Sequence, residues 1–160
     1  DFFRASLEKR FMKKLPLIAS TLIILLASGC QSHSAPHQAV KPDETLTNTY
    51  WKLVTLEGQP IITAENFREP HLVLHEENTR LAGSTGCNNL IGSYRVDGKQ
   101  IAFEQVGTTM MACPDTQMRN EQAMLSTLNN VDTWQVDGGS LSLKNANGKP
   151  VAVFEAVHLY

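Results

Sequence analysis

The chain has 160 residues, with 14 Lys and Arg against 16 Asp and Glu and 42% hydrophobic residues. That length and mixture suit one globular domain with a sizeable core, and exclude a chain disordered throughout. No basic run and no basic stretch interleaved with aromatics exists to hold phosphates, which argues against a nucleic-acid partner.

Residues 12–30 read MKKLPLIASTLIILLASGC. Lys13 and Lys14 supply a short positive region, Leu15 to Leu26 a mostly apolar run, and Ala27-Ser28-Gly29 a small-residue site, the layout of a secretory signal. The run is shorter than the about 20 apolar residues a spanning helix needs, and nothing amphipathic flanks it as it would a buried core helix. Leu26-Ala27-Ser28-Gly29-Cys30 resembles the lipobox of bacterial lipoproteins, in which the cysteine thiol is diacylated and the signal is cut just before it. The resemblance makes Cys30 a lipid anchor, and two acyl chains hold a protein stably on a membrane. Gln31 stands where lipoproteins kept in the inner membrane typically carry aspartate, so the expected address is the outer membrane, facing the periplasm. Residues 1–11 are expected to be upstream sequence from a misplaced start, residues 12–29 the signal peptide, and residues 30–47 the anchor and a flexible tether. The tether begins QSHSAPHQAVKPD, with two prolines and no apolar periodicity. From Cys30 onward nine Lys and Arg face fourteen Asp and Glu, a net charge of −5.

The folded part is expected over residues 48–157. Tyr50 to Leu56 has strand composition, with Trp51, Leu53 and Thr55 sharing one face, and ends at a Glu57-Gly58 turn. His71 to His75 alternates Leu72 and Leu74 with His71, Val73 and His75, and residues 80–83 return after a Glu76-Glu77-Asn78 turn. Residues 90–96 and 101–106 flank Asp97-Gly98, a strong hairpin signal. A helix opens at Pro114-Asp115-Thr116 and runs to about Asn129, with Met118, Met124, Leu125 and Leu128 as its apolar stripe and with Arg119 and Glu121 facing water. Residues 131–136 and 141–143 flank Asp137-Gly138-Gly139, and residues 151–156 follow the Asn147-Gly148 turn. The sum is an α+β fold: a curved antiparallel sheet or partial β-barrel of about seven or eight short strands, with one helix in the C-terminal half.

With Cys30 taken by lipid, Cys87 and Cys113 remain. In an oxidising, exported space an even number of leftover thiols favours pairing, so a Cys87–Cys113 disulfide is the expectation. Two rivals stay open on the residues alone. A zinc site wants four ligands, and neither cysteine has a near Cys or His neighbour. A cysteine nucleophile wants a base; His71, His75 and His158 are available, but no nucleophile motif surrounds either thiol. His71 and His75 have a metal-binding spacing only on a helix, because in a strand they stand about 13 Å apart. His33 and His37 in the tether could bind metal adventitiously. Glu76 and Glu77 fall in a turn, where solvated charge is the default, and Gly83, Gly86 and Gly92 fit close backbone approach and a strand bend better than a phosphate loop. No catalytic residue, metal or cofactor is assigned.

Gly83-Ser84-Thr85-Gly86-Cys87-Asn88-Asn89, running on to Gly92-Ser93-Tyr94, is similar to the GCN…G.Y segment of META domains. Thr108-Thr109-Met110-Met111-Ala112-Cys113-Pro114 resembles their TT.MAC segment, and the opening Trp51 strand and Leu141-Ser142-Leu143 fit in order. The family includes HslJ-like bacterial heat-shock lipoproteins. The resemblance implies a small α+β domain facing the periplasm, linked to heat-shock or envelope-stress responses and, in some members, to novobiocin resistance or motility. It carries over no catalytic residue. By position, Cys87 and Cys113 match the family's two cysteines, and Gly86, Asn88, Gly92, Tyr94, Thr108 and Thr109 match motif positions with a structural use around the bridge. An asparagine after the cysteine can bond nearby backbone or tolerate left-handed geometry.

The functional expectation is a non-enzymatic envelope lipoprotein that supports outer-membrane integrity or stress resistance by binding another envelope component. Its partners would be the membrane, through the anchor, and an unidentified envelope protein or lipid. The alternative is a small lipid- or peptide-binding module, with Met110, Met111 and the helix methionines lining an adaptable pocket. An enzyme or redox protein using Cys87 or Cys113 is a third possibility, and it would require free thiols.

Overall fold

The computed structural model describes residues 42–158. The leading segment, the signal-like run, Cys30, His33, His37 and the tether up to Lys41 lie outside the described residues. Nine strands follow in chain order around one helix: β1 (Tyr50–Leu56), β2 (Gln59–Pro60), β3 (His71–His75), β4 (Arg80–Ser84), β5 (Asn89–Asp97), β6 (Gln100–Thr108), α1 (Asp115–Asn129), β7 (Thr133–Asp137), β8 (Ser140–Lys144) and β9 (Pro150–Val157). All pairings are antiparallel, in the order β2-β1-β3-β4-β5-β6-β7-β8-β9. Because β9 also pairs with β1, the sheet curls back on itself. The ring is uneven. β5 and β6 share pairs from Leu90↔Thr108 down to Asp97↔Gln100, whereas β6 and β7 meet only at Gln100↔Thr133.

The expected α+β architecture is what the structure shows, with one strand more. Gln59–Pro60 is too short to carry periodicity and holds a proline, which is confined to edges because it cannot donate to a ladder. It sits at the end of β1, beyond the stretch that β3 covers. A second difference lies within β1. The register against β9 shifts between Leu53 and Thr55, so the pleat slips and Leu56 turns inward in place of Thr55. A bulge of this kind breaks strict alternation, which is why alternation alone misassigned Thr55.

The inward faces fill the ring. Trp51, Leu72, Leu74, Leu81, Leu90, Leu141, Leu143 and Phe154 are all but inaccessible to solvent, and Met124 and Leu128 of α1 join them. Burying each such side chain contributes about 1.5–3 kcal/mol. The indole N–H of Trp51 would be costly to bury unpaired; it donates to the Leu46 carbonyl at 2.9 Å. Leu46 itself is buried just ahead of the strand.

α1 starts after Pro114 and carries Asp115 in its first turn, where a carboxylate favours the positive end of the helix dipole. Asn130 ends it, its backbone N–H donating to Thr127 and its side chain to Ser126. The helix packs on β6 and β1. Among the described residues no helix is long and apolar enough to cross a membrane.

Candidate functional site

At one end of the ring the chain turns tightly, at residues 76–79, 98–99 and 138–139. At the other end three longer connections meet the start of α1: residues 61–70, 85–88 and 109–114. Most of the residues singled out in the sequence gather here. Cys87 and Cys113 are joined by a disulfide, with Cα atoms 6.3 Å apart, which ties the β4–β5 connection to the segment leading into α1. Gly86, just before the bridge, has φ +98, and a side chain there would press on Pro70. A left-handed backbone against a packed wall leaves glycine as the residue that fits.

Asn88 is the centre of the cluster. Its Oδ1 accepts from the Met111 backbone N–H at 2.8 Å and from the Thr109 hydroxyl at 2.9 Å. Its Nδ2 donates to the Met111 carbonyl at 3.2 Å and to Glu121 Oε1 at 3.3 Å. The side chain thus imitates a strand partner for the 109–111 segment while fully buried. Thr85 closes the small turn beneath it: its hydroxyl accepts from the Asn88 N–H, and its N–H donates to the Asn88 carbonyl.

Glu121 is the residue that the helical pattern misplaced. Expected in water, it is 6% exposed. Its Oε2 accepts from the Thr85 hydroxyl at 2.7 Å, and its Oε1 accepts from Asn88 and, at 3.4 Å, from the Thr108 hydroxyl. The signal was present in the spacing. Glu121 lies three residues before Met124 and seven before Leu128, so it shares their face. A carboxylate on that face has to find donors, and three motif residues supply them. Arg119, by contrast, is exposed as expected.

The remaining motif residues lie elsewhere. Gly92 sits at the bulge between Ile91 and Ser93, where a Cβ would come within 3.1 Å of the Glu104 carbonyl. Tyr94 is buried, and its hydroxyl donates to the His75 carbonyl at 3.2 Å; burial first, and then Glu76, raises its pKa. Gly83 belongs to β4, where a Cβ would fall on the His71 carbonyl. His71 and His75 line the outer face of β3, with His71 stacked on Tyr50 at 4.3 Å and held neutral chiefly by burial. Among the described residues no three His, Cys, Asp or Glu side chains gather in a way that could hold a metal.

Two further features surround the cluster. Met110 and Met111 project from the braced 109–111 segment, 98% and 55% exposed, and therefore do not line a pocket with the helix methionines. An open groove runs between α1 and residues 56–70. Its larger part, about 420 Å³, is floored by Leu56, Ile61 and Ala123; the smaller, about 130 Å³, lies against Phe67, Pro70 and Gln117. Ile62, Thr116 and Asn120 border both parts.

Chemically, the cluster spends its polar atoms on itself. The sulfurs are bonded to each other, the carboxylate accepts from three donors, and the asparagine uses both ends. What this arrangement does is tie residues 85–88 and 109–114 to each other and to α1.

The comparisons with known proteins agree with this geometry. Residues 44–158 match the family model of the META domain. An NMR structure of a protein from Burkholderia xenovorans shares the fold, with a TM-score of 0.58 and 24% identity over 76% of this chain and 95% of that one. A second NMR structure matches with a TM-score of 0.55 and 19% identity, over 70% of this chain and 94% of the other. No curated protein matches the chain. The family match spans the whole ring, both cysteines and the Asn88 cluster: the chain belongs to the META domain family.

Proposed function

We propose that this protein is a non-enzymatic lipoprotein of the bacterial envelope, HslJ-like, anchored in the outer membrane through Cys30 and facing the periplasm. It supports membrane integrity under stress, such as heat or novobiocin, by binding another envelope component. The observation that carries the proposal is the division of the three cysteines. Cys30 stands alone behind a secretory-type signal, and the other two form a bridge that an oxidising compartment favours. The META domain match and the self-satisfied polar cluster favour binding over catalysis. Tethering raises the local concentration of the domain near its partner, so a weak interface suffices.

The test is complementation of a deletion strain. A Cys30→Ala form should be lost from the membrane fraction and fail to restore growth under heat or novobiocin. Full rescue by that soluble form would reject the anchored role. Thiol titration under denaturing, non-reducing conditions is the companion measurement: no free thiol is expected from Cys87 and Cys113, and two would revive a redox reading.

A further inference from the structure

The groove between α1 and residues 56–70 combines apolar and basic lining residues. Its floor is apolar, and Ile62, 84% exposed, stands at the junction of its two parts. Two arginines border it: Arg119 on the larger part and Arg68 on the smaller. Among the described residues neither guanidinium has a carboxylate partner; Arg119 donates to the Thr116 hydroxyl and Arg68 to Asn89 Oδ1. The lining carboxylate, Glu57, already accepts from Thr127 at 2.9 Å. In a chain whose part after the signal is acidic, two arginines without carboxylates beside one apolar groove favour a negatively charged ligand.

We propose that this groove docks an extended peptide segment bearing a carboxylate next to an apolar side chain. The apolar side chain packs on Leu56, Ile61 and Ala123 under cover of Ile62, the carboxylate meets Arg119, and the peptide runs on past Ile62 toward Arg68 on the smaller part. A peptide answers both demands, the apolar floor and the two arginines, with one short stretch of chain. It also suits an open groove, because its outer edge can stay hydrated, whereas an acyl chain laid there would keep one side in water. The larger part alone falls within the about 300–1,000 Å³ typical of ligand sites. One side of the frame is fixed by the neighbouring cluster: Asn88, Glu121 and the disulfide hold the 85–88 connection, whose Thr85 and Gly86 line the smaller part, so less ordering remains to be done there on binding. The proposal deepens the envelope-binding role by naming the class of partner, and it rests on that role.

The test uses the full chain, oxidised, with two labelled pools of N-acetylated hexapeptides. One pool carries Leu, Val or Phe at positions two and four and Asp or Glu at positions three and five; the other is identical except for Asn and Gln in place of the acids. Polarisation should show binding of the acidic pool, with amide shifts concentrated in residues 56–62 and 116–123. Arg119→Glu should weaken binding by about tenfold or more while leaving the unfolding midpoint unchanged, since Arg119 is exposed. Arg119→Lys should lose less. Equal binding of both pools, shifts elsewhere, no effect of Arg119→Glu, or no binding would each overturn the proposal. So would capture of phosphatidylglycerol vesicles in place of either pool, or burial of the groove in a dimer of the protein. Peptide binding with full rescue by the soluble form breaks the anchored role alone. Loss of peptide binding with membrane-dependent rescue intact breaks the site alone.

Discussion

At its tight end the ring turns within two to four residues at a time, while at its loop end the three longer connections have partners 20 to 36 positions away. Gly98 and Gly138, at φ +57 and +56, make two of the tight turns with open space where a Cβ would stand. Remote bonds reach these turns too, from Trp134 Nε1 to the Gly98 carbonyl and from the Gly138 N–H to Asp43, but they meet turns whose geometry local backbone freedom and the alternation of the flanking strands already set. At the loop end Thr85 reaches Glu121, Asn88 reaches Met111, Arg68 reaches Asn89, and Cys87 is bonded to Cys113. The comparison separates turns whose shape is set locally from loops whose shape is set by side chains elsewhere in the chain. Rigid loops made by long-range polar contacts are costly to assemble and sensitive to any change of donor for acceptor.

The largest expected effect follows from that sensitivity. Asn88→Asp keeps the acceptor for Thr109 and the Met111 N–H, but turns the donor into an oxygen facing the Met111 carbonyl and Glu121. Two acceptor–acceptor contacts in a buried site should cost about 3–5 kcal/mol in a urea unfolding experiment. A cost within about 0.5 kcal/mol, ordinary for a surface change, would mean that the cluster is solvated and the contrast between the ends is false. Next comes the bridge. Replacing Cys87 and Cys113 by alanine frees a loop with a sequence separation of 26, and should destabilise by about 3–3.5 kcal/mol on the loop-entropy account. The loss should appear first as amide exchange in residues 85–88 and 109–114, with the tight turns protected.

The tight end offers the opposite sign. Thr79, in the turn between β3 and β4, sits at φ +50, a region that a β-branched residue enters only with strain. Thr79→Gly removes that strain at the cost of a freer unfolded chain, and the net should be a gain of up to about 1 kcal/mol in the same unfolding experiment. A loss comparable with that of Asn88→Asp would show that this turn, too, depends on its side chain.

What was legible in the sequence divides along the same line. The strands and the tight turns could be read because their causes are local: alternation in Leu72-Val73-Leu74, Asp97-Gly98 between two runs, and Asp137-Gly138-Gly139 between two more. The bulge in β1 escaped because register against β9 is a property of two strands at once. Glu121 escaped for a related reason. Its place on the buried face was encoded in its spacing from Met124 and Leu128, yet nothing near it in the chain announces that Thr85, Asn88 and Thr108 would satisfy it. Charge was allowed to outvote geometry. The groove was beyond reach altogether, since its walls come from residues 56–70 and from the helix, which the chain separates by more than forty positions.

The smallest effects belong to a cluster on the outer wall, and they should leave both ends undisturbed. Tyr50 stacks on His71, whose Nδ1 lies 2.9 Å from the Glu69 carbonyl and whose pKa is lowered, chiefly by burial. The folded state therefore holds His71 neutral where the unfolded chain, with its pKa near about 6.5, begins to take a proton. Stability from this source is fully present above that pH and is lost as pH falls from there toward the folded value. His71→Gln should flatten this part of the profile in urea midpoints measured from pH 7.5 to 5.5. Tyr50 works at the other extreme. Its phenol is pushed up to about 12, by burial first and then by Glu69. Here the folded state keeps a proton that the unfolded state loses near about 10, so the contribution is present below pH 10 and disappears as pH rises toward 12. Absorbance at 295 nm, compared between wild type and Tyr50→Phe, should assign the late-ionising phenol to Tyr50. Ionisation of that residue near 10 would show that burial and Glu69 do not hold its proton, and a change in groove or disulfide resonances along with its ionisation would show the wall and the loop end to be coupled.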